Sequence, residues 1–173
     1  MRAVISLRII LMVFCFTMIS TGIFSQDYKK PEPVNNETIN MMLGKWEAEP
    51  YEMFGTKRGE TENYYMDINN QFMFIDVNGK DETGFTYNAL IVMKVNSDGT
   101  LTGYSFDDWG KIGTYTGTAS GNKINVKGTK EMVADTREIE INGNKMTTKV
   151  TFSFKDKDGK DMFVSQTINY NKK

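Results

Sequence analysis

Residues 85–128 read FTYNALIVMKVNSDGTLTGYSFDDWGKIGTYTGTASGNKINVKG. From Phe85 to Val95 every second side chain is apolar, the signature of a strand with one buried face. Ser97-Asp98-Gly99 follows, and such residues take positive φ at little cost, as a hairpin turn requires. The same grammar continues to Gly128, with a second break at Ser120-Gly121-Asn122. Strand, tight turn and strand in succession mean neighbours that pair antiparallel.

Working outward, the pattern runs from Gly44 to the C-terminus. Further turns are marked by Asn78-Gly79, Asn142-Gly143-Asn144 and Asp158-Gly159. Strands are expected near 44–52, 57–69, 71–77, 84–96, 100–107, 111–119, 123–130, 132–142, 145–156 and 161–171, each rich in Thr, Tyr, Phe, Val and Ile. Pro50 closes the first, and no later strand contains proline. A meander this long exposes two edges, and closing into a barrel hides both. A β-sandwich would need longer crossover connections than the sequence holds. The expected fold is therefore all-β: an antiparallel up-and-down meander closed into a barrel of about 8–10 strands. A short helix over 37–43 precedes it, with Asn35 or Asn36 as N-cap.

The chain has 173 residues, enough for one domain with accessories. Residues 1–25 read as a secretory signal: Arg2 and Arg8, an apolar run from Ile9 to Ile19, then small and polar residues. The run is short of the ~20 residues a membrane span needs. An uncleaved anchor is the competing reading. The one cysteine, Cys15, follows Phe14 rather than a small residue, which argues against a lipid anchor. Residues 26–36, QDYKKPEPVNN, read as a flexible lead-in, and 37–173 as the barrel domain. Cleavage after residue 25 removes two positive charges and moves the net charge from −1 to −3. That weakly acidic balance, without a basic block, argues against nucleic acid and against stable membrane insertion of the mature chain.

Period two assigns the faces. Trp46 and Ala48 point inward, against Lys45, Glu47 and Glu49. Phe85, Tyr87, Ala89, Ile91, Met93 and Val95 share a face. So do Met146, Val150, Phe152 and Phe154, and so do Met162, Val164, Ile168 and Tyr170. Three charges fall into the inward phase: Glu62 with Tyr64, Met66 and Ile68, and Arg137 and Asp135 with Ile139 and Ile141. A buried charge must be paired or hydrogen-bonded, so these three are informative.

Composition excludes much chemistry. With no histidine and no cysteine beyond residue 15, Ser-His-Asp and Cys-His sites cannot be built. Zinc, histidine-ligated haem and thiolate sites are excluded with them. No cofactor, metal or catalytic residue is expected. Asp107-Asp108 reads as solvated strand-end charge, since adjacent strand residues face opposite ways. Asp156, Asp158 and Asp161 around Gly159 lack the full ligand set of a calcium loop and read as a hairpin tip. Arg137 is the best ligand candidate, its planar fork suiting a carboxylate or phosphate. The structural alternative is a pair with Glu62 or a stack on Trp46. Twelve methionines suit an adaptable apolar cavity and ordinary packing equally.

Gly44-x-Trp46, after a short helix and before a meander, resembles the G-x-W opening of the calycin superfamily: lipocalins, fatty-acid-binding proteins and nitrobindin-like barrels. The stretch from LGKW to the end more closely resembles a family of bacterial lipocalin-like proteins without assigned function. Residues 85–128, TREIEI (136–141) and QTINYNK (166–172) carry that likeness. The resemblance implies a closed barrel in which Trp46 lies across the floor under a late-strand cation, a role Arg137 matches by type and order. Gly44, Trp46 and Arg137 would then close one end. It also implies binding of small hydrophobic molecules. Haem binding through histidine does not carry over, because the chain has none.

Two functions follow. One is carriage of a small hydrophobic or amphipathic molecule, with Tyr64, Met66, Phe85, Tyr87, Met93, Arg137, Phe152 and Phe154 as lining. The other is a secreted or periplasmic envelope module with a packed interior. An enzyme using carboxylates ranks third, since nothing singles out a catalytic group.

Overall fold

A computed structural model describes residues 29–173; residues 1–28, including the expected signal segment and Cys15, lie outside the described part. The chain divides into two compact units, Met1–Glu32 and Pro33–Lys173. In the first, Lys29 and Glu32 form an exposed ion pair at 3.4 Å. The second carries the fold.

A one-turn helix, α1 (Glu37–Met42), leads into the strands. Asn36 caps it, its side chain accepting from the Ile39 amide. The strands are β1 (Gly44–Ala48), β2 (Tyr51–Met53), β3 (Thr56–Asp67), β4 (Phe72–Asp81), β5 (Thr86–Val95), β6 (Thr100–Asp107), β7 (Ile112–Ser120), β8 (Lys123–Lys130), β9 (Val133–Asn142), β10 (Lys145–Lys155) and β11 (Asp161–Lys172). From β3 to β11 each pairs antiparallel with the next. β1 pairs with both β3 and β11, which closes ten strands into a barrel and leaves β2 as an extra strand on β3.

Two details depart from the sequence reading. The first strand is split. Glu47 lies opposite Thr61 and Tyr51 opposite Arg58, so three residues on one side face two on the other. That is a bulge, placed where Pro50 has no amide to donate. Asn78-Gly79 is not a turn. β4 runs through it, with Asn78 paired to Thr61 and Asn88, and the chain reverses at 82–85. There the Asp81 carboxylate accepts from the Thr83 and Phe85 amides, and Gly84 sits at φ 89°. An aspartate closing its own turn outcompetes the Asn-Gly pair.

The bulge also limits the seam. β1 holds β11 only at Lys172, Asn171 and Tyr170, with two flanking bonds, from the Glu49 amide to the Asn169 carbonyl and from the Lys173 amide to the Lys45 carbonyl. Below that, among the described residues, β11 has β10 on one side and no strand on the other.

Alternation fills the interior. Ile39 and Met42 of α1 join Trp46, Met73, Val95, Leu101, Ile124, Ile141 and Met146 in a nearly solvent-free cluster at one end. Thr38 donates to the Gly121 carbonyl at 2.7 Å, tying α1 to the β7–β8 turn. Val34 packs against the core and its amide reaches the Asn70 carbonyl. The closed end thus carries the helix, and the opposite end carries five loops.

Candidate functional site

The closed end is built around Trp46, which is fully buried. Its indole Nε1 donates to the Met42 carbonyl at 2.7 Å, satisfying the last turn of α1. The cation over its ring is Lys172, at 5.1 Å from the centroid. Arg137 does not lie there; the late-strand cation comes from β11. Gly44 serves this contact twice. Its φ of 116° favours glycine, and a Cβ would approach the Lys172 Cε to 3.0 Å.

Further in, β3 presents Glu62 and Tyr64, both nearly inaccessible. Tyr64 donates to Glu62 in a short hydrogen bond. Tyr170 donates to Glu60 at 2.6 Å and lies 3.5 Å from Glu62. Burial pushes the Glu62 carboxyl up to about 7; the Glu60 charge adds to this, while the Tyr64 bond and Arg137 oppose it. The phenols of Tyr64 and Tyr170 are raised well above their usual range, by burial first and by Glu62 next. Beside Glu62 is a cavity of about 30 Å³, lined in part by Tyr64, Met93, Tyr115 and Arg137. That is room for about one water.

Towards the open end, Arg137 donates from Nε to Asp135 at 2.9 Å, and 27% of its side chain stays accessible. Burial works against its charge, but Tyr115, Asp135 and Glu62 outweigh it and hold the guanidinium protonated. Among the described residues, its terminal nitrogens and the hydroxyls of Tyr87 and Tyr115 make no hydrogen bond; no buried side-chain nitrogen or oxygen is left unpaired, so these atoms keep access to solvent. Gly128 leaves the space this group needs: a Cβ there would meet Asp135 Oδ1 at 2.3 Å and the Tyr115 ring at 2.5 Å.

Lys130 pairs with Asp107 and lies 5.8 Å above the Tyr87 ring. Asp107, expected to be solvated, has 3% of its side chain exposed. It accepts from the Trp109 and Lys111 amides as well, so it is a buried organiser of the β6–β7 loop. Asp108 does face outward, accepting from Asn88.

The expected lining residues are therefore distributed. Tyr64, Met93 and Arg137 share the inner cavity. Phe85 and Tyr87 line a second cavity of about 30 Å³ at the mouth, with Tyr51, Arg58 and Glu60. Phe152 packs on the exposed Phe54, ring centroids 6.3 Å apart. Met66 packs partly against the core. Phe154 lines an outer groove with Met132, Val133 and Phe163. Sequence reasoning missed Glu60, Tyr115, Lys130 and Lys172. Phase was the available signal, since Glu60 is two before Glu62 and Lys172 two after Tyr170.

Chemically, the open end offers a partly engaged guanidinium and two uncommitted phenols beside aromatic rings. That suits an anion joined to an apolar body. No protein-family model matches the sequence, and no curated protein matches it. Among solved structures, the crystal structure of Rv2717c from M. tuberculosis superposes with a TM-score of 0.60. The match covers 80% of this chain and 98% of that one, at 13% identity. At that identity the likeness shows the fold alone: a closed antiparallel barrel shared with a bacterial protein.

Proposed function

We propose that the barrel binds a small anionic, amphipathic molecule at the end opposite Trp46. The observation that carries this reading is Arg137: inward, fixed by Asp135, with no hydrogen bond from its terminal nitrogens among the described residues, and lining one cavity with Tyr115. The inner cavity and the mouth cavity, each near 30 Å³, do not hold such a molecule unaided. Binding therefore displaces mouth side chains, and the exposed Phe54 and Phe85 are placed to move. We also read the barrel as lipocalin-like, on the strength of Gly44-x-Trp46 under a cation from the last strand. From its N-terminal segment we read the protein as exported, to the periplasm or beyond the cell.

The test is a fluorescence titration with a fatty carboxylate probe and with its uncharged alcohol. The carboxylate is expected to bind about tenfold tighter, and Arg137→Met to abolish the difference while the protein stays folded. Equal affinity for both probes would refute the anion site. A second reading, a packed interaction module, is favoured by the small cavities. It requires that neither probe binds and that native mass spectrometry of protein from its host finds no small molecule.

A further inference from the structure

The outer wall of the barrel is two-faced. Over β8, β9 and β10 it presents exposed Lys123, Lys127, Glu138, Glu140 and Lys149. Over the middle of β3 to β7 the outward side chains are mostly apolar. The register places Tyr65, Phe74, Val92 and Tyr104 side by side across four strands on the outward face. One row nearer the mouth, Leu90, Phe106 and Ile112 are adjacent on β5, β6 and β7. Tyr65 and Phe74 stack at 5.4 Å, while Tyr104, Phe106 and Ile112 are 56%, 44% and 60% exposed. With strands about 4.8 Å apart and outward residues about 6.8 Å apart along each, these seven positions cover roughly 230 Å² in plan. Contiguous apolar patches of a few hundred Å² are about the largest that monomeric proteins expose, and they are often functional.

We infer that this face is a self-association surface whose occupant is a second copy of the same chain. The charges bordering it carry the argument. Lys94 on β5 and Asp76 on β4 stand at opposite corners, one row above and one row below the Phe74–Val92 pair at the centre. A two-fold axis lying in the contact plane through that pair, nearly perpendicular to the strands, sets Lys94 of each copy against Asp76 of the other. The apolar centre is thus bracketed by two symmetric opposite-charge contacts, as an isologous interface requires. Within one chain, neither Asp76 nor Lys94 has an ion pair among the described residues; Lys94 lies 5.5 Å over the Phe72 ring and donates to the Gln71 side-chain oxygen, a neutral bond that it exchanges for the charged contact. Thr102, Thr114 and Asn63 border the field and supply a polar rim. A barrel wall is convex, which confines contact to the patch and its rim. The dimer is accordingly a reversible one, of micromolar strength rather than permanent.

The experiment is sedimentation equilibrium of the purified protein across a concentration series, with far-ultraviolet circular dichroism confirming the fold of each variant. Wild type is expected to dimerise with a Kd in the micromolar range. Lys94→Glu alone and Asp76→Lys alone are each expected to weaken it by about tenfold or more. The double reversal is expected to restore it. Phe74→Thr with Tyr104→Thr should give a folded monomer. A wild type that stays monomeric at about 100 μM would overturn the proposal. So would a dimer that ignores both charge reversals, or a protein that stays monomeric and instead partitions onto phosphatidylcholine vesicles.

Discussion

Trp46 shows how one side chain can serve two elements. It fills the barrel floor and also terminates α1 by donating to Met42. Trp46→Ala removes both, and about 3–5 kcal/mol of stability should be lost, read from urea unfolding. Glu62 gives a second test at this scale. Its carboxyl is raised from an unfolded value near 4.5 to about 7 in the folded protein. The folded state therefore holds a proton that the unfolded state has released, and stability should fall as pH rises from 4.5 to 7. The size is on the order of 3 kcal/mol. Glu62→Gln should flatten that slope, as measured by denaturation midpoints across the pH range. The inward phase of Glu62, Trp46, Arg137 and Asp135 was legible from alternation. Their partners were not, because period two tells which way a side chain points but not which strand lies opposite. Lys172 over Trp46, where Arg137 was expected, is the case in point.

Among the elements, α1 is the smallest and the most dependent on its caps. A one-turn helix has no cooperative stability of its own. It rests on the Asn36 cap, the Thr38 tie to Gly121, and burial of Ile39 and Met42. Asn36→Ala should cost about 1 kcal/mol, seen as a lower melting temperature. The strands were legible because their turns carry glycine, aspartate and asparagine at the reversals. Two places defeated that reading for local reasons. Asn78-Gly79 has turn chemistry, yet it is held in β4 by pairing on both sides. Pro50 was seen to end a strand, but the bulge it creates depends on the register with β3, which a single segment does not encode.

At the scale of the molecule, closure joins the two ends of the sequence. Asn171 donates to Glu49 across 122 positions, and Lys172 covers Trp46. Truncation after Thr167 removes Ile168, Tyr170 and the whole β1 seam, and the cooperative thermal transition should vanish with it. Contacts so distant in sequence also make folding slow, in the millisecond-to-second range for barrels of this kind, as stopped-flow refolding would show. That the wall closes was legible from the need to hide edges. Which inward residues share a cavity was not, since Arg137 and Tyr115 come together only once the strands have curled. The seam itself works like a zip fastened at one end. Above Asn169 the wall is stitched on both sides and rigid. Below it, the amides of Phe163, Ser165 and Thr167 point away from β10 with no strand to receive them among the described residues. They should exchange with deuterium far faster than those of Val164 and Gln166, which point the other way. The barrel can breathe there, so it is stiff at its floor and compliant at its lip.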